Sequence, residues 1–167
     1  GYCVDRRTKS LKRVSLSDLM LFISFFPQLV AGPIARYSEL SGAIKNVTSF
    51  KLSGQRFVEF VIYFTFGLFL KVVCADTLGQ SVEQFKLSPS ELGFFGLSFL
   101  TFGYSFQIYF DFFGYSLCAI GLGKLFGFDL PVNFLNPYSS LNPRDFWRRW
   151  HVSLSNFLRD YLYIPLK

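Results

Sequence analysis

A single histidine, three cysteines and few charges mark this chain of 167 residues, and each scarcity removes a class of function. Cys3, Cys74 and Cys118 are odd in number, far apart and without Cys-x-x-Cys spacing, so neither a disulfide framework nor a zinc site is indicated. One imidazole with no paired thiols leaves little to bind a transition metal. Gly-x-Ser-x-Gly and the phosphate-binding P-loop are absent, and with one histidine no conventional Ser-His-Asp triad can be assembled. "GLGKLFG" at 121–127 lacks the spacing and preceding strand of a dinucleotide fingerprint; its Gly123 and Gly127 are expected to serve helix packing. Charged residues make up 17%, below the roughly 25% of an ordinary globular domain.

Apolar surface fills the place of the missing charge. Hydrophobic residues reach 51%, 23 of them phenylalanine, which fits an all-α, polytopic integral membrane protein. Leu19 to Ala35 is uncharged but interrupted by Pro27 and by Gly32-Pro33; it is shorter than the ~20 residues of a spanning helix and reads as broken or re-entrant. Residues 36–56 read as a basic connection and Phe57–Ala75 as an apolar stretch with Glu59 and Lys71 near its ends. Residues 76–91 read as an acidic loop, and Leu92–Phe110 as the clearest transmembrane segment. The net charge of +6 lies in short clusters at 6–13, 36–56 and 144–159. That distribution places those segments on the cytoplasmic side and does not resemble the single basic face of a nucleic-acid binder.

Two constellations carry candidate chemistry. On a continuous helix Tyr104, Gln107, Asp111 and Tyr115 form a polar stripe, and Gly96, Gly103, Gly114 and Gly121 share a face that would let another helix approach closely. An acid there costs about 2.5–3.5 kcal/mol on insertion scales, so Asp111 needs a buried partner or a water-filled cavity, unless it sits at the membrane interface and caps or breaks a helix. The second constellation is "RDFWRRWHVSLSNFLRDYLYIPLK", 144–167. Asn142, Pro143 and Asp145 make a strong helix start. From there a helical repeat puts Trp147, Trp150, His151, Leu154, Leu158 and Tyr161 on one aromatic face and Arg144, Arg148, Ser155 and Arg159 on another. A buried His151 would stay neutral near pH 7, as a general base must, or would serve as a hydrogen-bonded core histidine. Arg148, Arg149 and Arg159 also suit lipid headgroups.

Four stretches, "FFPQLVAGPIARYSEL" (25–40), "KVVCAD" (71–76), "QIYFDFFGYSLCAIGLGKLFGFDLPVNFLNPY" (107–138) and "DFWRRWHVSLSNFLRDYLYIPL" (145–166), together resemble the membrane-bound O-acyltransferase family, nearest its alginate O-acetyltransferase branch. The resemblance implies a multi-pass enzyme of the bacterial inner membrane whose helices surround a tunnel. Through that tunnel an acetyl group from acetyl-CoA or a related cytoplasmic thioester would pass to an extracytoplasmic polysaccharide or to an acyltransferase partner protein. No bound cofactor, metal or nucleic acid is implied. His151 matches the first of two family histidines. The second, in a Trp-His-Gly stretch, is expected beyond Lys167, so residues 1–167 are expected to be part of one membrane domain truncated at both ends and inactive by themselves. Trp147, Trp150, Asp111, Gln107 and Tyr115 are expected to line or brace the tunnel. The branch often carries an acid where Leu117 stands. The alternatives are D-alanyl transfer to teichoic acid, whose proteins share these motifs, and a non-enzymatic membrane transporter or scaffold.

Overall fold

Helices account for all the regular structure among the described residues, which in this computed structural model are 2, 4–5, 14–29, 32–86 and 92–166. The basic cluster at 6–13, Cys3, Val30, Ala31, Glu91 and Lys167 lie outside them. In order they are α1 (Leu16–Ser24), α2 (Tyr37–Lys45), α3 (Gly54–Leu68), α4 (Asp76–Lys86), α5 (Phe94–Phe126), α6 (Pro143–Arg149) and α7 (Val152–Leu158). A π-helical stretch, Phe69–Ala75, joins α3 to α4 without a break, and a second, Arg159–Tyr163, follows α7.

The centre of the fold is a helical hairpin. Gly54–Lys86 is one rod of 33 residues, about 50 Å at 1.5 Å per residue, and it is the one helix among the described residues long and apolar enough to cross a membrane. Only 11% of its most apolar window is buried. Val58, Ile62, Phe66 and Val72 are among its exposed side chains, so lipid or further protein must cover them. The antiparallel pairing with α5 follows from the glycine contacts. A Cβ on Gly121 would stand 3.1 Å from Phe60 O, one on Gly114 2.7 Å from Gly67 O, and one on Gly103 3.2 Å from Val82 Cγ2. Gly96, assigned to the same stripe, meets its own Leu92 among the described residues. Gly114→Val would push backbone against backbone and is expected to destabilise the hairpin by about 1–3 kcal/mol, read as a lower melting temperature of the detergent-solubilised protein.

One end of the hairpin is tied by charge: Lys124 bridges Glu59 at 3.0 Å and Asp129 at 2.7 Å, and Arg56 meets Asp129 at 3.0 Å. There α5 stops at Gly127, whose φ of 85° is left-handed. The Phe128 N–H returns to Gly123 O at 2.8 Å, the bond of a glycine-terminated helix. Gly127 is thus a helix terminator, whereas Gly123 packs on the returning chain at Phe128 and Leu130. The returning segment and the broken 19–35 region share a core: Phe25, Leu40, Ile44, Ile120 and Phe128 are all buried together.

Four sequence expectations are corrected. Residues 76–86 are helical, since α4 continues the rod instead of looping away. Residues 37–45 form an amphipathic helix with Tyr37, Leu40 and Ile44 buried, so 36–56 is more than a connection. The span meeting membrane criteria is the rod and not 92–110, where Gly, Ser, Tyr and Gln dilute the phenylalanines. The closing segment is not one helix. It breaks between Arg149 and Val152, where His151 takes φ 46° and ψ 54°. In the 19–35 region α1 ends at Ser24 and a 3-10 turn spans Phe26–Gln28, in keeping with an interrupted segment.

Candidate active site

The start of the closing segment forms as its residues dictate. Asn142 Oδ1 accepts the Asp145 N–H at 2.9 Å and Pro143 opens α6. The helix ends after two turns because the segment Asn133–Leu135 captures the chain: the Leu135 N–H donates to Arg149 O at 3.0 Å and the Val152 N–H to Asn133 O at 2.9 Å. Between these two bonds His151 is held in the left-handed region, which costs an L residue about 1–2 kcal/mol. Strain of this kind persists only where the surroundings over-determine it.

The break decides where each aromatic goes. Trp150 packs edge-on against Phe134, with centroids 5.0 Å apart, and stacks on Phe146 at 5.5 Å. Trp147 stays exposed, touching Phe146. His151 is half-buried and stands edge-on to Phe112 of α5 at 4.7 Å and 87°. The expected common face of Trp147, Trp150 and His151 is therefore overturned, because a left-handed residue redirects everything after it. Burial pushes the His151 imidazole below its ordinary 6.5, so it is neutral near pH 7.

A polar cluster that sequence reasoning missed supports the ring. Asn133, 1% exposed, places Oδ1 3.3 Å from His151 Nδ1 and 2.6 Å from Ser153 Oγ. Its Nδ2 donates to Ser116 Oγ of α5 at 3.1 Å, and Ser153 Oγ accepts the Ile34 N–H at 2.9 Å. The available signal was one amide between Val132 and Phe134 in an otherwise apolar "DLPVNF", a buried polar group that must have partners.

The remaining expected residues lie elsewhere. Asp111 is mid-helix in α5, neither capping nor breaking it, and pairs with Lys71 of the π-helical stretch at 2.8 Å; Lys71 also meets Asp76 at 2.6 Å. The Gln107 amide lies over Gly79. Tyr115 lines a cavity of about 260 Å³ with Phe26, Phe64, Leu68, Lys71 and Cys118. The stripe Gln107–Asp111–Tyr115 thus faces the rod, whereas His151 and Trp150 sit against the Phe112–Ser116 side of α5. Leu117 is buried, an apolar residue in an apolar place.

The arginines open a third feature. Arg144, Trp147 and Arg148 of α6, Ser155 and Asn156 of α7, and Arg159 and Tyr163 line a cleft of about 730 Å³. Its Val152 adjoins His151. Arg159 meets Asp160, whose carboxyl is held down to about 2 by Arg159 and then Arg36. Arg36 reaches Asp160 from the chain before α2 and also donates to Asn156 O at 3.3 Å. Arg144 and Arg148 have no carboxylate partner among the described residues.

The profile of the MBOAT, membrane-bound O-acyltransferase, family matches residues 3–167. A peptidoglycan O-acetyltransferase of Helicobacter pylori is 46% identical over 149 residues, covering 89% of this chain and 28% of the relative. A probable alginate O-acetylase AlgI of Pseudomonas aeruginosa is 42% identical over 153 residues, 91% of this chain and 28% of the relative. A teichoic acid D-alanyltransferase of Streptococcus thermophilus is 31% identical over 170 residues, 99% of this chain and 41% of the relative. The chain spans less than half the length of each.

Proposed function

The chain belongs to the membrane-bound O-acyltransferase family, and from that premise we propose that it supplies the His151 half of the active site of an O-acetyltransferase. The enzyme would move acetyl groups from acetyl-CoA or a related cytoplasmic thioester toward an extracytoplasmic polysaccharide such as alginate, directly or through an acyltransferase partner protein. Residues 1–167 then form part of one multi-pass domain in the bacterial inner membrane. The observation that carries the reading is His151: an imidazole kept neutral by burial, fixed at a strained break, with the acceptor group of Asn133 on one nitrogen. In the reaction the acceptor hydroxyl attacks the thioester carbonyl, its proton passes to an imidazole nitrogen, and the thiolate leaves with the electron pair of the broken C–S bond.

The cleft beside His151 supports a phosphorylated donor. Arg144 and Arg148 line the cleft without a direct carboxylate contact among the described residues, and arginine suits phosphate oxygens. Replacing both by Gln in the full-length enzyme is expected to raise KM for the donor about tenfold or more, the scale of a lost charged hydrogen bond, with kcat little changed. An equal fall in kcat with unchanged KM would remove the cleft from donor binding. The test of the whole reading is polysaccharide O-acetylation in a host whose own gene is replaced by the His151→Ala form at matched expression. Unchanged acetyl content would end it.

The D-alanyl reading is favoured by one observation, the 31% identity to a teichoic acid D-alanyltransferase across nearly the whole chain. It differs in the acyl group and acceptor and uses the same His151 chemistry. A transporter reading loses its motive where Asp111 already has a lysine partner.

A further inference from the structure

Which ring nitrogen of His151 carries the proton can be derived from one backbone bond. The Ile34 N–H is a donor and nothing else, so Ser153 Oγ, 2.9 Å away, accepts from it. The Ser153 hydroxyl proton is then free to go to its other neighbour, 2.6 Å distant on Asn133. That neighbour must therefore be the carbonyl oxygen. Turned the other way, the amide would give Ser153 a second donor and leave the hydroxyl proton with no acceptor. With Oδ1 so placed, Nδ2 faces Ser116 Oγ at 3.1 Å and has its acceptor.

His151 Nδ1 lies 3.3 Å from the same Oδ1. An amide oxygen has two lone pairs and no proton to give, so Nδ1 is the protonated nitrogen. Nε2 keeps its lone pair and meets no protein partner among the described residues. The Val152 N–H to Asn133 O and Leu135 N–H to Arg149 O bonds fix the backbone from which the ring projects, and Phe112 packs edge-on to the ring itself at 4.7 Å.

We propose that Asn133 is the positioning residue of this site: it fixes His151 as the Nδ1–H tautomer and leaves Nε2 as the nitrogen that takes the acceptor hydroxyl's proton. The second half rests on the acyltransfer reading; the tautomer does not. Among the described residues no ionised group faces the ring, so the selection rests on the amide. On α5 Asp111 turns to Lys71, and Tyr109 packs on Phe134 and Trp150. On the preceding loop Asp129 is held by Lys124 and Arg56. On α6 Arg149 is paired with Asp145 and Arg148 lines the cleft, and before α2 Arg36 is paired with Asp160.

Two substitutions in the full-length enzyme separate positioning from packing. Asn133→Leu keeps the branched shape, with greater bulk, and removes the acceptor; activity should fall about 10²-fold or more, the scale of a lost or mis-set general base. Asn133→Asp keeps both acceptor contacts, and Ser116 can donate in turn, so the hydrogen-bond network is retained. A carboxylate beside the ring should raise the imidazole pKa by about one unit or more, moving the acid limb of the kcat profile to higher pH by that amount. That shift reports His151 as the titrating base beside residue 133, and the tautomer is read separately from the ring nitrogens. Nitrogen-15 spectra of histidine-labelled protein, with His151 assigned by its loss in His151→Gln, should show Nδ1 protonated and Nε2 bare in the parent. A protonated Nε2 in the parent, or an Asn133→Asp profile that superimposes on it, overturns the proposal. Full activity of His151→Ala with the expected spectrum would instead refute the acyltransfer role of His151 and leave the tautomer standing.

Discussion

His151→Ala in the full-length protein lowers O-acetyl transfer by about 10²- to 10⁴-fold, the range for a lost general base, at undiminished protein level. The control that separates chemistry from architecture comes from the backbone. His151 is left-handed, so alanine there retains a strain of about 1–2 kcal/mol, whereas glycine relieves it. A histidine needed only for its conformation would be replaced well by glycine and poorly by alanine. One needed for its imidazole is lost equally in both, even where His151→Gly melts at or above the parent temperature. Recovery of activity in His151→Gly is the result that would sink the chemical role.

The pH profile of the parent carries the same claim. Burial holds the imidazole below 6.5, so the neutral form a base requires persists beneath the pH at which a free histidine would be half protonated. Activity should stay level from neutrality down past 6.5 and fall only below it. The stability contribution has the same sign. A depressed folded value favours the native state above the unfolded value of about 6.5, and the advantage is lost as pH falls through the folded value. An acid limb centred above 6.5 would show that the ring is charged in the working enzyme.

How far the sequence could be read depended on whether a feature was local or made by contact. The Asn142 cap, the glycine approach at Gly103, Gly114 and Gly121, and the need of Asp111 for a partner all rest on short-range pattern or on the cost of a lone charge, and they were legible. Lys71 as that partner was not. It read as a lysine near the end of an apolar stretch, because the rod's continuation through Asp76–Lys86 was hidden by acidic residues that resemble a loop. The break at His151 was illegible for a different reason: Trp-His-Val carries no Gly or Pro. The turn is imposed by Asn133–Leu135, about eighteen residues upstream. Yet Arg144, Arg148, Ser155 and Arg159, grouped by helical spacing, do line one cleft. Two short helices folded about a break bring them together where one straight helix would have aligned them.

Lys71→Met is expected to be the most damaging substitution in the hairpin, and Asp111→Asn alone much milder. Lys71 falls near the middle of the rod, within a π-helical stretch that sets it between Asp76 and Asp111 at 2.6 and 2.8 Å. Asp111 is half exposed on the described hairpin, and where lipid or further protein covers that side, removing the lysine leaves it ionised at a cost of about 2.5–3.5 kcal/mol on insertion scales. Asp111→Asn removes a charge and leaves Lys71 still paired with Asp76. In the double variant Lys71→Met with Asp111→Asn the stranded charge at 111 is gone, so most of the loss should be recovered, although Asp76 keeps the rescue incomplete. Melting temperatures of the four proteins in one detergent give the coupling energy directly. Simple addition of the two single effects would mean that the pair is solvated in the assembled protein. The polar stripe of α5 would then border water instead of sealing α5 to the rod, as a tunnel wall that includes Gln107 and Tyr115 would.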